Sequence, residues 1–297
     1  MLTTALESVR KQRSCDIEVI VVDGGSIDGS QQVASAAGAR LVEAPGSKIY
    51  EAINLGLLTM TGELFMLLNS DDVLPEGAVE TLLEHFATSP SAEAVQGRAP
   101  IEEWNGEHWV EISDGRPPQS RSAFRSFLLG PTNINAAMFK STLWRRLGPF
   151  DQRYAISADR EWLARAYTSG VAMTLIDKPT YIYRAHDGSL TIGKKKLATQ
   201  KWVAEHLEFA TSYLRRQDLP GSIRSDLRAF LAKETVHAAY LAIRNGEIEQ
   251  AVATLLASSR HHPTWPISAI APLLGVLSRR LNQRPPKETP SGEVSSL

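Results

Sequence analysis

The chain has one cysteine, Cys15, in 297 residues, so no intrachain disulfide can form. That usage fits a reducing, cytoplasmic compartment, where a lone thiol beside an expected strand reads as inert. Charge of one sign is also missing: 32 basic residues face 33 acidic ones, for a formal net charge of −1. Nothing global therefore favours nucleic acid as a partner. Short basic runs such as Lys194-Lys195-Lys196 and Arg279-Arg280 read as solvated helix faces. Long hydrophobic runs are absent too. Glu7 and Arg10 interrupt any apolar N-terminal stretch, so no secretory leader is read there. The best membrane candidate, Trp265 to Ser278, is uncharged but only 14 residues long, with Pro266, Pro272 and Gly275 inside. Spanning a bilayer takes roughly 20 apolar residues. Followed by Arg279 and Arg280, this stretch suits either peripheral docking on the inner face of the plasma membrane or packing against the rest of the protein.

What is present is an ordinary globular composition, 43% hydrophobic and 22% charged. Leu2, Leu6 and Val9 share a face of a helix expected over residues 2–13. Ile17 to Val22 is short, β-branched and nearly all apolar, as a strand covered on both faces is. Helices are expected over 29–37, with Asp28 as N-cap, and over 50–60, ending at Gly62. Arg40 to Glu43 and Leu64 to Leu68 read as further strands, and Pro75 to Phe86 as a helix. Strands alternating with helices imply βαβ units. The stretch from Val95 to Asn135 is mixed, with hairpins suggested around Trp104 and Trp109. Helices over 140–147 and 158–168 and strands over 171–176 and 180–183 follow. The expected organisation is an α/β domain over 1–192, an all-helical region over 193–281 and a disordered tail over 282–297.

The strongest chemical signal is an apolar strand running into two carboxylates, Asp71 and Asp72. Ligands bind at the carboxyl ends of strands in open α/β sheets. Adjacent acids there suit a hard divalent ion that also takes phosphate oxygens. The competing reading, a helix cap, is weakened by Pro75, which favours the first helical position and would place the cap at Leu74. Asp23 ends the Ile17–Val22 strand in the same way. A calcium loop starting at Asp23 fails, because Gly25, Ile27 and Ala34 stand where oxygen ligands belong.

Ile17-Glu18-Val19-Ile20-Val21-Val22-Asp23-Gly24-Gly25-Ser26, with Asp28-Gly29, resembles the opening signature of family-2 glycosyltransferases with the GT-A fold. Ile49-Tyr50-Glu51-Ala52-Ile53-Asn54-x-Gly56 is similar to the segment that follows it, with Glu51 and Ile53 as mild departures. Leu67-Leu68-Asn69-Ser70-Asp71-Asp72 resembles the family's acidic metal motif, with Asn69 in place of a common first aspartate. Gly148-Pro149-Phe150-Asp151 and Asp159-x-x-x-Leu163-x-Arg165 match its acceptor-side pattern. The resemblance implies a Rossmann-like, mixed but mostly parallel sheet flanked by helices. It implies transfer of a sugar from a nucleoside-diphosphate sugar to a glycan or lipid-linked acceptor, with inversion. It assigns Asp23, Ser26, Tyr50, Asn54, Asn69 and Asp71 to the sugar nucleotide. Asp71, Asp72 and His186 would hold Mg²⁺ or Mn²⁺, and Asp159 would be the general base. For Asp159 a helix N-cap is the competing role.

Family members usually begin with a buried strand beside the one read at Ile17–Val22, and here Met1 falls inside the helix that follows it. An unpaired apolar edge and an open nucleotide-base pocket are therefore expected. Two other functions stay open. One is a catalytically dead sugar-nucleotide-binding or scaffold remnant of such an enzyme. The other is a helical interaction module, because Ala242-x-x-x-Gly246-x-x-x-x-Ala251 resembles one tetratricopeptide-type repeat.

Overall fold

The computed structural model describes residues 1–13, 16–116, 122–130, 133–189 and 196–259. Cys15, the Trp265–Leu281 stretch and the expected tail lie outside these residues. Within them the chain divides into two compact units, one up to Phe230 and one from Leu231 on.

The first unit opens with α1 (Leu2–Arg10), β1 (Ile20–Asp23), α2 (Ser30–Ala36), β2 (Arg40–Glu43), α3 (Ile49–Thr59) and β3 (Leu64–Phe65). β1 and β2 pair in parallel, from Ile20↔Arg40 to Asp23↔Glu43. The α3 helix crosses β1 at close range through Gly56, where a Cβ would lie 3.0 Å from Val22 Cγ2. After β3 come α4 (Ala78–Thr88), β4 (Ala94–Arg98), β5 (Ile101–Trp104), β6 (Trp109–Ser113), α5 (Ala123–Leu129), β7 (Ala137–Lys140), α6 (Ser141–Leu147) and α7 (Ala158–Thr168). Then follow β8 (Met173–Pro179), β9 (Tyr183–Ala185) and α8 (Lys196–Leu214). A second sheet has the order β3-β7-β4-β8 and a third the order β6-β5-β9. Parallel pairs (β1 with β2, β4 with β8, β5 with β9) alternate with antiparallel ones (β3 with β7, β4 with β7, β5 with β6). The sheet system is mixed and carries helices, as the α/β reading expects.

Several elements are shorter or shifted. Pro75 does not start a helix; Ala78 N–H bonds Pro75 O in a turn, and Gly77, at φ 74°, caps α4. The N-cap of α2 is Gly29, while Asp28 bonds the Ser30 N–H and hydroxyl from one position earlier. The expected strand at Ile17–Val22 is regular strand only from Ile20, and Leu64–Leu68 only to Phe65. Both shortfalls have one physical cause. β1 pairs only with β2 and β3 only with β7, so each has an edge without a ladder partner among the described residues. Between those edges lies a cleft of about 1550 Å³ lined by Ile17–Val22 on one side and Leu64–Asn69 on the other. Ile20, Val21, Val22, Met66, Leu67 and Leu68 are consequently only half-buried. The cleft exceeds the roughly 300–1,000 Å³ of a small-molecule pocket.

The unit boundary falls at 230, later than the 192 expected, because α8 is held by the α/β unit. Val203, Phe209 and Ala210 are buried, and Tyr213 Oη donates to Glu161 Oε1 at 2.9 Å. α9 (Gly221–Asn245) runs past the boundary, and Gly246, at φ 82°, ends it before α10 (Ile248–Ser259). In the second unit Ala239, Ala242 and Ala251 form a small core, and Thr235 bonds Ser258 at 3.0 Å. One such helix pair is described. No helix among the described residues is long and apolar enough to cross a membrane.

Candidate active site

The acidic motif follows β3. Asp72 is 1% exposed, and its oxygens are turned into the protein. Oδ2 accepts from Tyr181 Oη at 2.5 Å and Asn69 Nδ2 at 3.0 Å, and Oδ1 from the Arg184 N–H at 2.7 Å. Burial pushes its carboxyl up, against these three hydrogen bonds. Asp72 is thus an anchor, not the outward metal ligand expected of it. Tyr181 is itself fixed by Asn135 Nδ2 at 3.0 Å. Neither residue stands out in the sequence, because an aromatic strand residue and an isolated asparagine carry no spacing signal. Asp71 points elsewhere, with its side chain 30% exposed and Oδ2 2.9 Å from His186 Nε2. Gly188 N–H donates to His186 Nδ1 at 3.1 Å, which assigns the imidazole proton to Nε2, facing Asp71. No three acidic, histidine or cysteine side chains converge among the described residues. A magnesium-type ion needs only one or two carboxylates when phosphate supplies other oxygens. Asp71 fits such a partial donor set, whereas His186, expected as a ligand, uses Nε2 on Asp71 and Nδ1 on the Gly188 N–H and so orients Asp71 instead.

Asp159 sits in the first turn of α7, two residues past the N-cap position at Ser157, so the capping role is not realised. Its Oδ1 accepts from Tyr50 Oη at 3.0 Å and from the Arg160 N–H at 2.8 Å. Burial raises its carboxyl above the ordinary carboxylate value, offset by the nearby Arg160 charge and these bonds. Tyr50, expected at the sugar nucleotide, is buried, shares its one hydroxyl proton between Asp159 Oδ1 and Ile156 O at 2.8 Å, and stacks on Phe150. It belongs with Asp159. The loop before α7 is clamped by Glu205 of α8, whose carboxylate accepts the N–H groups of Ala155, Ile156 and Ser157 at 2.9, 3.0 and 2.9 Å. Glu205 lies far from the motifs in sequence, which is why sequence reasoning missed it.

The acceptor-side motif proves to be a brace. Asn54, also expected at the sugar nucleotide, uses both ends of its amide on the Phe150 backbone at 2.9 Å each. Trp162 Nε1 donates to Gly148 O, and Arg165 reaches Leu147 O, Pro149 O and Glu161. Asp23 likewise serves its own loop. Oδ2 accepts from the N–H groups of Gly25 and Ser26 and from Gln31 Nε2, at 3.1, 3.0 and 2.8 Å. Those bonds hold its carboxyl at about 2, below the ordinary value. Gly25, at φ 101°, allows the turn. Ser26 is exposed beside it. The large cleft brings together Tyr50, Asn69, Asp71 and Asp159, whereas Asp23, Ser26 and Asn54 are not part of its wall.

The family model described as glycosyl transferase family 2 matches residues 1–146. An uncharacterized glycosyltransferase of Mycobacterium tuberculosis (strain ATCC 25618 / H37Rv) is 32% identical over 56% of this chain, and the match covers 63% of that relative's length. The PGL/p-HBAD biosynthesis glycosyltransferase of Mycobacterium bovis (strain BCG / Pasteur 1173P2) is 28% identical over 59% of this chain and 67% of that relative. Among solved structures, S. aureus TarS 1-349 in complex with UDP-GlcNAc shares the fold, with a TM-score of 0.64 at 15% identity over 88% of this chain and 77% of that one. On a GT-A fold, residues 1–146 of this chain therefore belong to glycosyl transferase family 2.

Proposed function

We propose that the protein transfers a hexosyl-type sugar from a nucleoside-diphosphate sugar to a hydroxyl acceptor, with inversion. The observation that carries this reading is that Asp71 and Asp159 line one cleft, each with a distinct environment. Asp159, raised by burial and steered by Tyr50, is suited to accept a proton from an acceptor hydroxyl. A carboxylate aimed from the face opposite the leaving diphosphate enforces inversion. Asp71, oriented by His186, would hold Mg²⁺ or Mn²⁺ on the diphosphate, where the ion would neutralise charge on the leaving group. Asp72 holds that corner of the site through Tyr181 and Arg184. Asn69 and Ser70 line the cleft beside Asp71, where they would face the diphosphate.

The TarS neighbour was solved with UDP-GlcNAc, which supports a sugar-nucleotide donor. A relative named for PGL/p-HBAD biosynthesis supports an acceptor in glycolipid or other cell-envelope glycan assembly. The test is a screen of nucleoside-diphosphate sugars for hydrolysis and transfer, with Mn²⁺ and with EDTA. Metal-dependent turnover of at least one donor is expected. The open slot between β1 and β3 favours one rival, a sugar-nucleotide-binding remnant. Binding of a donor with no turnover under any condition would establish that rival instead.

A further inference from the structure

Four of the six tryptophans have settled roles or lie elsewhere: Trp144 and Trp162 are buried in the core, Trp202 packs on His206, and Trp265 lies outside the described residues. The remaining two, Trp104 and Trp109, face each other across the β5–β6 hairpin. Their rings meet edge to face at 5.5 Å, and Trp104 is 49% exposed. An indole as open as Trp104, beside a half-buried partner, needs an explanation.

Arg184 ties the pair to the acidic motif. Its guanidinium lies over the Trp109 ring at 4.7 Å, while its backbone N–H holds Asp72 at 2.7 Å. β9 runs beside β5 with Glu102 opposite Arg184, so Trp104 and His186 each lie two residues further along. Paired residues share a sheet face. Trp104, Trp109, Glu102, Glu111 and Arg184 therefore stand on one face, next to the histidine that meets Asp71. The hairpin from Ile101 to Ser113 carries four glutamates and no lysine or arginine. That charge repels anionic lipid headgroups and nucleic acid, while carboxylates accept hydrogen bonds from sugar hydroxyls. An exposed indole offers a flat apolar face to a pyranose ring.

We propose that Trp104, braced by Trp109 and Arg184, is the stacking platform for an uncharged saccharide of the acceptor. The proposal deepens the transferase reading and rests on it for the word acceptor, but not for saccharide binding. The test is an NMR titration of the full chain with neutral trisaccharides (maltotriose, cellotriose, mannotriose and chitotriose). Phosphatidylglycerol vesicles form a second arm, and nucleoside diphosphates with Mn²⁺, on the wild type only, a third. At least one trisaccharide should bind, Trp104→Ala should weaken it by about 10-fold or more, as loss of a stacked ring implies, and Trp104→Phe should retain most of the affinity. An unchanged melting temperature in both variants separates this loss from misfolding. The platform is overturned if no trisaccharide binds, if Trp104→Ala binds as well as the wild type, or if Trp104 matters only for vesicles. If the wild type takes up no nucleoside diphosphate, the transferase reading falls while the saccharide arm still decides the platform.

Discussion

At the scale of single residues, the two adjacent acids divide their labour by burial. Asp72 is enclosed and bonded three times, whereas Asp71 is open toward His186. Asp71→Asn should therefore abolish metal-dependent nucleoside diphosphate binding without moving the melting temperature. Asp72→Asn should lower the melting temperature as well, because Tyr181 and Asn69 lose a buried acceptor worth about 1–3 kcal/mol. Calorimetry beside nucleotide titration checks both, and equal melting temperatures for the two variants would undo the distinction. Tyr50 and Asp159 give a pH prediction. Burial raises Asp159, so the acid limb of kcat should lie above the ordinary carboxylate value of about 3.9. The Tyr50 hydroxyl lowers it through its hydrogen bond, so Tyr50→Phe should move that limb to higher pH. A limb that stays put or moves down would separate Tyr50 from the base. Sequence made the acids legible because a β-branched run ending in carboxylates is a local pattern. It could not tell Asp71 from Asp72, nor see that Tyr50 and Asn54 face protein partners. Those assignments depend on Tyr181, Ile156 and Phe150, which are remote in the chain.

At the scale of elements, β1 and β3 explain more by what flanks them than by what they are. Helix α1 leads into β1 as α2 leads into β2, and strand–helix–strand crossovers place the two strands side by side. By the same rule, a strand entering α1 would lie beside β1, in the slot between β1 and β3. Fusing six β-branched residues and a short turn ahead of Met1 should then raise the melting temperature by at least about 5 °C, while an equal length of glycine and serine should not. The same fusion should reduce binding of a hydrophobic dye, since Ile20, Val21, Leu67 and Leu68 would be covered. Equal behaviour of the two fusions would show that the slot is not a strand site. Helix positions at α3, α6 and α7 were legible to within a residue or two, because apolar spacing is local, although α3 stops at Met60, short of the Gly62 expected to end it. The short ladders at β1 and β3 were not, because strand length depends on partners. The α5 helix escaped notice within a stretch that shows no periodicity.

At the scale of the whole molecule, the α/β unit through 230 holds every residue assigned to the chemistry, including α8, which carries the Glu205 clamp. The family, fold and order of motifs could be read from sequence because they are written in contiguous segments. The unit boundary could not, because Glu205 and Tyr213 reach back to loops far upstream. The proposed transfer turns on Asp159 as the group that would accept the acceptor's proton, with inversion at the anomeric centre. The most direct test is steady-state transfer by the wild type and Asp159→Asn with the donor found active in the screen, with the product's anomeric configuration read by NMR. The predicted result is an inverted product, a kcat at least about 100-fold lower in Asp159→Asn, and little change in donor affinity. A retained anomeric configuration, or a kcat left intact while donor affinity collapses, would contradict it.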